Sequence, residues 1–191
     1  MTTRLLLQSI RLLAVMTLLL GVAYPLTVTG LARLAWPAQA SGSLVSRDGV
    51  AVGSRLLGQP FTEARYFWGR PSATGAQAYD AMASSGSNLG PLNPELAAGV
   101  RARVAVLRAS DPLHRAAVPV DLVTTSASGL DPDISLAGAR WQAPRVAAAR
   151  GIDVDQLEAL IERLAQRPLL GFIGEPRVNV LELNLALDAG R

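Results

Sequence analysis

The sequence predicts an α+β protein: a single N-terminal transmembrane helix followed by one mixed α+β extracytoplasmic domain. Three observations predict it. Residues 12–32, LLAVMTLLLGVAYPLTVTGLA, carry no charge. Beyond residue 43, short apolar runs flanked by turn residues are interspersed with helical segments that carry clear start signals. No repeat or second linker divides the 191 residues, a length that suits one domain with an appendage.

The first element is justified by length. A helix over 12–32 spans roughly 32 Å, about the hydrocarbon thickness of a bilayer. Arg11 and Arg33 bracket the run, and Trp36 falls where an interfacial aromatic belongs. Pro25 would kink the helix, which membrane helices tolerate. Ala38-Gln39-Ala40 has the small-x-small form of a signal cleavage site, but the apolar run is too long for a signal and the triplet lies well past its end. The segment therefore reads as a retained anchor. Arg4, Arg11 and the terminal amine precede it, against Arg33 and the more distant Arg47, a bias that places the N-terminus in the cytoplasm. The expected organisation is a cytoplasmic arm (1–11), a transmembrane helix (12–32), a linker (33–43) and a periplasmic or otherwise extracytoplasmic domain (44–191). Such a chain sits in the inner (plasma) membrane as a single-pass protein.

Within the domain, Leu44-Val45-Ser46 and Val50-Ala51-Val52 flank Arg47-Asp48-Gly49, a hairpin signal. Arg65-Tyr66-Phe67-Trp68 reads as a further strand. Residues 72–93 form a long Ser/Ala/Gly/Asn loop, a kind that is functional or disordered. Asn93, Pro94 and Glu95 open a helix with apolar Leu96, Val100, Val104 and Leu107, while Arg101, Arg103 and Arg108 read as a solvated face. Residues 118–125 (VPVDLVTT) read as a buried strand centred on Asp121, followed by a loop (126–133) and a helix from Ser135 to about Arg150. Asp153 and Gln156 form a capping box for a helix carrying Leu157, Leu160, Ile161 and Leu164, ended by Pro168. Leu169 to Ile173 reads as a strand. Val178 to Leu187 fits a strand or a helix capped by Asn179, with the helix preferred.

Composition removes many chemistries. All 18 basic residues are arginine, cysteine is absent and His114 is the only histidine. Disulfides, thiolate zinc sites, cysteine nucleophiles, Lys-dependent phosphate loops and Schiff bases are excluded. The isoelectric point near 10.1 does not signal nucleic acid. Arg4, Arg11 and Arg33 supply the whole excess, and the fifteen arginines after them balance fifteen acids. A serine hydrolase would use His114 with Asp121 or Asp111 and a serine such as Ser87, but no Gly-x-Ser-x-Gly elbow surrounds any of them. Asp131-Pro132-Asp133 reads as an acidic loop capping the next helix rather than a metal cage. Residues 84–90 could form an anion nest, but without Lys or a strand-to-helix glycine turn they read better as a solvated or partner-ordered loop. One helix cannot line a polar path across a bilayer. The profile is that of an accessory subunit that works through partners.

Several blocks, in order, carry a resemblance. They are Val52-Gly53-Ser54, Gly58-Gln59-Pro60-Phe61, Tyr66-Phe67-Trp68-Gly69-Arg70-Pro71-Ser72, Ser85-Gly86-Ser87-Asn88-Leu89-Gly90-Pro91, Val118 to Thr124, Ser128 to Pro132, Pro144 to Ala147 and Gly174 to Leu181. Together they resemble the KdpC family, the C subunit of the bacterial high-affinity potassium-transporting P-type ATPase. Asp133 and Leu136 depart from the family, which commonly has His and Pro there. The resemblance implies two protein partners, a potassium-binding channel-like subunit and an ATP-hydrolysing P-type subunit. It further implies no intrinsic cofactor, with ATP and potassium met through the complex, and a catalytic-chaperone role that raises the ATP affinity of the hydrolysing subunit. By motif, the candidate partner or ligand contacts are Ser87, Asn88, Gly90, Asp121, Asp131, Arg145 and Asn179. The cytoplasmic arm leaves only about eleven residues on the ATP side, too few for a nucleotide site, so the ATP effect either passes through the membrane helix, requires the inverted orientation or belongs to the assay. The outer domain is expected to pack over the entrance of the potassium-binding subunit, with the helix stabilising the complex.

Overall fold

A computed structural model describes residues 2–190 and divides into two compact units, one up to Leu44 and one from Val45. The first unit is a helix: α1 (Thr2–Leu18), one π turn (Leu19–Ala23) and α2 (Tyr24–Ala35) follow without a break. Thr3–Ala35 is 33 residues long, with mean hydropathy 2.1 in its most apolar window and none of that window buried, long and apolar enough to cross a membrane. The helix begins well before residue 12, so Arg4 and Arg11 lie on helical turns rather than on a separate irregular arm.

The π turn answers Pro25. Proline has no N–H to give the Gly21 carbonyl, and its ring crowds that carbonyl. Just upstream, Tyr24 N–H reaches back five residues to the Leu19 carbonyl, so the helix widens before the proline. Thr27 Oγ1 adds a bond to the Ala23 carbonyl at 2.8 Å. The expected linker contains a short turn, α3 (Pro37–Ala40).

The second unit opens with the expected hairpin, β1 (Leu44–Arg47) paired with β2 (Val50–Ser54). Asp48 and Gly49 both take positive φ (52° and 79°), the requirement of a two-residue turn that follows strand twist. After a long irregular stretch comes α4 (Pro94–Ser110), capped by Asn93, whose Oδ1 accepts from Glu95 N–H at 2.9 Å. β3 (Asp133–Ser135) leads into α5 (Leu136–Arg150), capped by Ser135 through Gly138 N–H at 2.9 Å. Asp153 caps α6 (Val154–Leu164). β4 (Arg177–Asn179) pairs antiparallel with β3, Ile134 opposite Val178, both fully buried. Asn179 then caps α7 (Val180–Ala189), settling the last segment as helix. The core joins α4–α7 and the small sheet through Leu107, Ile134, Val146, Leu157, Ile161 and Leu183, with Phe67 entering from the irregular stretch.

Three expected strands are not strands. Residues 65–68 are extended but join no sheet. Phe67 N–H donates to Asn184 Oδ1 (2.8 Å) and its carbonyl accepts from Asn184 Nδ2 (3.0 Å), while Trp68 makes the same pair of bonds with Gln142 (2.9 and 3.0 Å). Two primary amides on α7 and α5 thus stand in for a neighbouring strand. Residues 118–125 contain a 3₁₀ turn (Val120–Leu122), entered from Pro119 at φ −59°, although Leu122 and Val123 are buried as their apolarity requires. Leu169–Ile173 is an exposed turn closed by a single bridge.

Two further expectations need correction. Arg103 and Arg108 are not a solvated face: Arg103 donates to the Val123 carbonyl at 2.9 Å, and Arg108 to the carbonyls of His114 and Ala116, tying the 111–125 segment to α4. Asp131 and Asp133 do not cap α5. Asp131 holds Arg70 (3.0 Å) and Asp133 holds Arg177 (2.8 Å), while Asp121 joins Ser135 at the helix start by accepting from Ser135 N–H at 2.8 Å.

Candidate assembly surface

The motif loops meet one another. Ser85 N–H donates to the Ser128 carbonyl at 3.0 Å, and Ser84 Oγ donates to the same carbonyl at 3.1 Å. Ser85 Oγ reaches the Ala73 carbonyl (2.9 Å), Thr125 Oγ1 donates to Ser87 Oγ (3.2 Å), and Ser72 Oγ donates to the Gly129 carbonyl (2.7 Å). Segments 72–74, 84–87 and 125–130 are thereby laced into one platform. Gly129 makes the closeness possible. Its φ is +68°, and a Cβ there would lie 2.7 Å from both the Ser85 carbonyl oxygen and Thr74 Cγ2. Thr74 is buried beneath, its hydroxyl donating to the Gln77 carbonyl and accepting from Asp80 N–H.

The seven candidate residues separate by burial. Ser87, Asn88 and Gly90 are exposed on the platform, and nothing lies within 4 Å of a Cβ built on Gly90. Asn88 sits at φ 51°, a left-handed position that asparagine tolerates better than most residues. Asp121 and Asp131 are half-buried and engaged as described. Arg145 is only 4 % exposed: it donates to the carbonyls of Ala64 and Tyr66 and to Gln142 Oε1, and stacks 4.2 Å over the Trp68 ring. Burial pushes its guanidinium down to about 10, with the Asp111 charge pulling the other way. Asn179, also 4 % exposed, caps α7 and donates to the Arg55 carbonyl and to Asp133. These last four shape the surface from within.

His114 and Ser87 have different neighbours. The imidazole stacks on Trp141 at 4.7 Å and lies 3.6 Å from Asp111; among the described residues no hydrogen bond joins it to Ser87. An apolar cleft of about 490 Å³ opens beside the platform, lined by Phe61, Trp68, Tyr79, Val106 and Leu122 with Arg70 and Arg103 on its wall. Burial, seconded by the Asp131 charge, pushes the Tyr79 phenol up to about 12, so the hydroxyl stays a neutral donor to the Arg70 carbonyl.

Sequence reasoning missed Gln142 and Asn184. Their signal was present: each is a polar amide on the otherwise buried face of a helix, where an amide persists only if it is bonded. Ser72 lay inside a motif, but its partner, the Gly129 carbonyl, is 57 positions away.

The model of the family described as "K+-transporting ATPase, c chain", KdpC, matches residues 6–189. The chain is similar to proteins named potassium-transporting ATPase KdpC subunit from several bacteria. That of Methylibium petroleiphilum is 62 % identical over 176 residues, covering 92 % of each chain. That of Variovorax paradoxus is 61 % identical over 178 residues, covering 93 % of this chain and 92 % of the relative. That of Caulobacter vibrioides is 62 % identical over 174 residues, covering 91 % and 87 %. With its membrane-length helix, its motif platform and a match that runs nearly end to end, the chain belongs to the KdpC family, the c chains of K+-transporting ATPases.

Proposed function

We propose that the chain is a non-catalytic accessory subunit of an ATP-driven high-affinity potassium uptake complex in the inner membrane. In this reading α1 and α2 anchor it with the N-terminus cytoplasmic, and the second unit lies outside. The platform at 84–90 and 125–130 docks on the potassium-binding, channel-like subunit and stabilises the complex. ATP and potassium are handled by the partner subunits. By family resemblance, the subunit also raises the ATP affinity of the ATP-hydrolysing partner, an effect that would pass through the membrane helix.

The observation that carries the assembly reading is the lacing of three motif loops into an exposed platform by bonds among themselves. A surface ordered before binding forfeits less conformational entropy on docking than a free loop does. The test is Gly90→Arg, a substitution that meets open space and leaves the fold intact. Purified through a tag on a partner subunit, the complex should lose this chain. Wild-type recovery with full potassium-stimulated ATPase activity would refute the docking surface. His114→Ala should leave the assembled pump active; loss of turnover there would favour a membrane-anchored serine hydrolase built on Ser87 and His114.

A further inference from the structure

The segment between α6 and β4 breaks two local rules at one place. Gln166 and Arg177 exchange both backbone hydrogen bonds (2.8 and 3.1 Å), and Leu169 and Ile173 exchange both of theirs (3.0 Å each). The result is a narrow hairpin tipped by Leu170-Gly171-Phe172. Leu170 takes φ 55° and Gly171 φ 81°. Such a turn favours Asn, Asp or Gly, and a leucine in the left-handed region is strained. The tip is also apolar where loops are ordinarily polar: Leu169, Leu170, Phe172 and Ile173 are 67 %, 76 %, 76 % and 50 % exposed. Other exposed apolar loop residues, Met82, Leu92 and Leu113, stand singly, as surface leucines commonly do. Departures from turn chemistry and surface polarity that coincide are the kind expected at functional sites.

We propose that this hairpin tip is a membrane wedge that inserts its Leu and Phe side chains into the headgroup–acyl boundary of a lipid bilayer. Three features of the chain favour lipid over a protein groove. The tip exposes four large apolar side chains on a narrow turn held by two isolated backbone bridges, a shape suited to a fluid interface that needs no complementary pocket. Exposed Arg163, Arg167 and Arg177 lie in or beside the hairpin stem; Arg167 pairs with Glu162 at 3.4 Å and Arg177 with Asp133 at 2.8 Å, Glu175 is exposed between them, and 78 % of the Arg167 side chain meets solvent. Their long stems let guanidinium groups reach lipid phosphates while the tip sits deeper. The second unit is also covalently tethered, by the short segment 36–44, to a helix long and apolar enough to cross a membrane, which raises the effective concentration of a bilayer around it.

The absence of cysteine makes the test direct. In the full-length chain, Phe172→Cys and, as a control, Leu113→Cys (88 % exposed) carry an environment-sensitive fluorophore. Each is reconstituted without partner subunits in vesicles of phosphatidylethanolamine and phosphatidylglycerol. The label at 172 should shift to the blue, be quenched by spin-labelled lipid and lose quenching by aqueous iodide, while the label at 113 stays iodide-quenched. Adding Leu170→Asp, an exposed change that leaves the urea midpoint unchanged, should return the 172 label to the behaviour of the control. Equal iodide quenching at both positions would overturn the proposal. So would a 172 label that becomes protected only when the other pump subunits are present, since the occupant is then a protein groove.

Discussion

Asn184→Leu tests the central structural claim, that side-chain amides replace a β-ladder around Phe67. Asn184 is 2 % exposed and Phe67 fully buried, so no water can take over the lost bonds. The substitution keeps the branching and the number of heavy atoms of the side chain, replaces the planar amide by two bulkier methyl groups, and removes both hydrogen bonds, leaving one N–H and one C=O orphaned in the interior. Each buried orphan costs about 1–3 kcal/mol, so the pair should cost about 2–6 kcal/mol. A domain's whole stability is about 5–15 kcal/mol, so the loss is large. The assay is urea unfolding of the full chain in detergent, followed by the fluorescence of Trp68 and Trp141, both of which lie in the second unit. Asn184→Asp sharpens the result, because a carboxylate can accept from Phe67 N–H but cannot donate to its carbonyl; it should also be destabilising. If Asn184→Leu unfolds at the wild-type midpoint with an unchanged slope, the 65–68 segment is not held by the amide and the reasoning fails.

Further outcomes follow from the same geometry. Gly129→Ala places a methyl group against the Ser85 carbonyl and Thr74 in a left-handed conformation; left-handed strain and overpacking together should cost about 2–5 kcal/mol, with lost amide-exchange protection at Ser85, and a Ser85 amide that stays protected contradicts the lacing. Asp188 is pulled two ways: burial raises its pKa, but hydrogen bonds from Arg150 and Tyr66 and the charges of Arg150 and Arg47 outweigh this and hold it below the ordinary carboxylate value. A depressed folded pKa gives stabilisation that is present above the unfolded value of about 3.9 and vanishes as pH falls through the folded pKa. The gap in urea midpoint between wild type and Asp188→Asn should therefore be open at pH 6 and close in strong acid; a gap independent of pH would remove the charge from the explanation. Topology is read by Thr2→Cys and Ser46→Cys in intact cells with an impermeant thiol reagent: labelling only at 46 fits a cytoplasmic N-terminus, and labelling only at 2 inverts the orientation.

What could be read from the sequence was local. Asp48-Gly49, Asn93, Asp153 and Asn179 each act on backbone two or three residues away, so turn and caps fall where their residues dictate, whereas the cap of α5 is Ser135 and not the acidic loop before it. The apolar runs at 65–68 and 118–125 correctly signalled burial but not strand pairing. The groups that hold Phe67 and Trp68 come from positions 117 and 74 residues away, and no local pattern announces them. Leu169–Ile173 failed for the opposite reason: an apolar run predicts burial, and here the folded unit leaves it uncovered. Of the candidate residues, the motifs picked out segments that meet one another, yet could not tell Asn88, which is exposed, from Arg145, which is locked inside.

The arrangement of polar groups explains why so irregular a domain can present a firm surface. Only two short two-stranded sheets are present among the described residues, and the long stretch from 55 to 93 has little regular structure of its own. Its backbone must still find partners wherever it is buried. Gln142, Arg145 and Arg150 on α5, with Asn184 on α7, supply them, binding the backbone of Ala64, Arg65, Tyr66, Phe67 and Trp68. Helices that pack on the core through Val146 and Leu183 therefore also fix the chain that leads into the Ser72–Gly129 lacing. Arginine suits this task better than lysine, since one planar guanidinium can bond two or three carbonyls at once and stack on a ring. The exclusive use of arginine is consistent with a fold in which cations bind backbone as often as carboxylates. If so, Arg145→Lys should destabilise the 63–70 segment although it conserves the charge, because an ammonium cannot reach Ala64, Tyr66 and Gln142 together or lie flat on Trp68. Unchanged stability in that variant would mean that charge alone, and not the guanidinium's shape, is what the site requires.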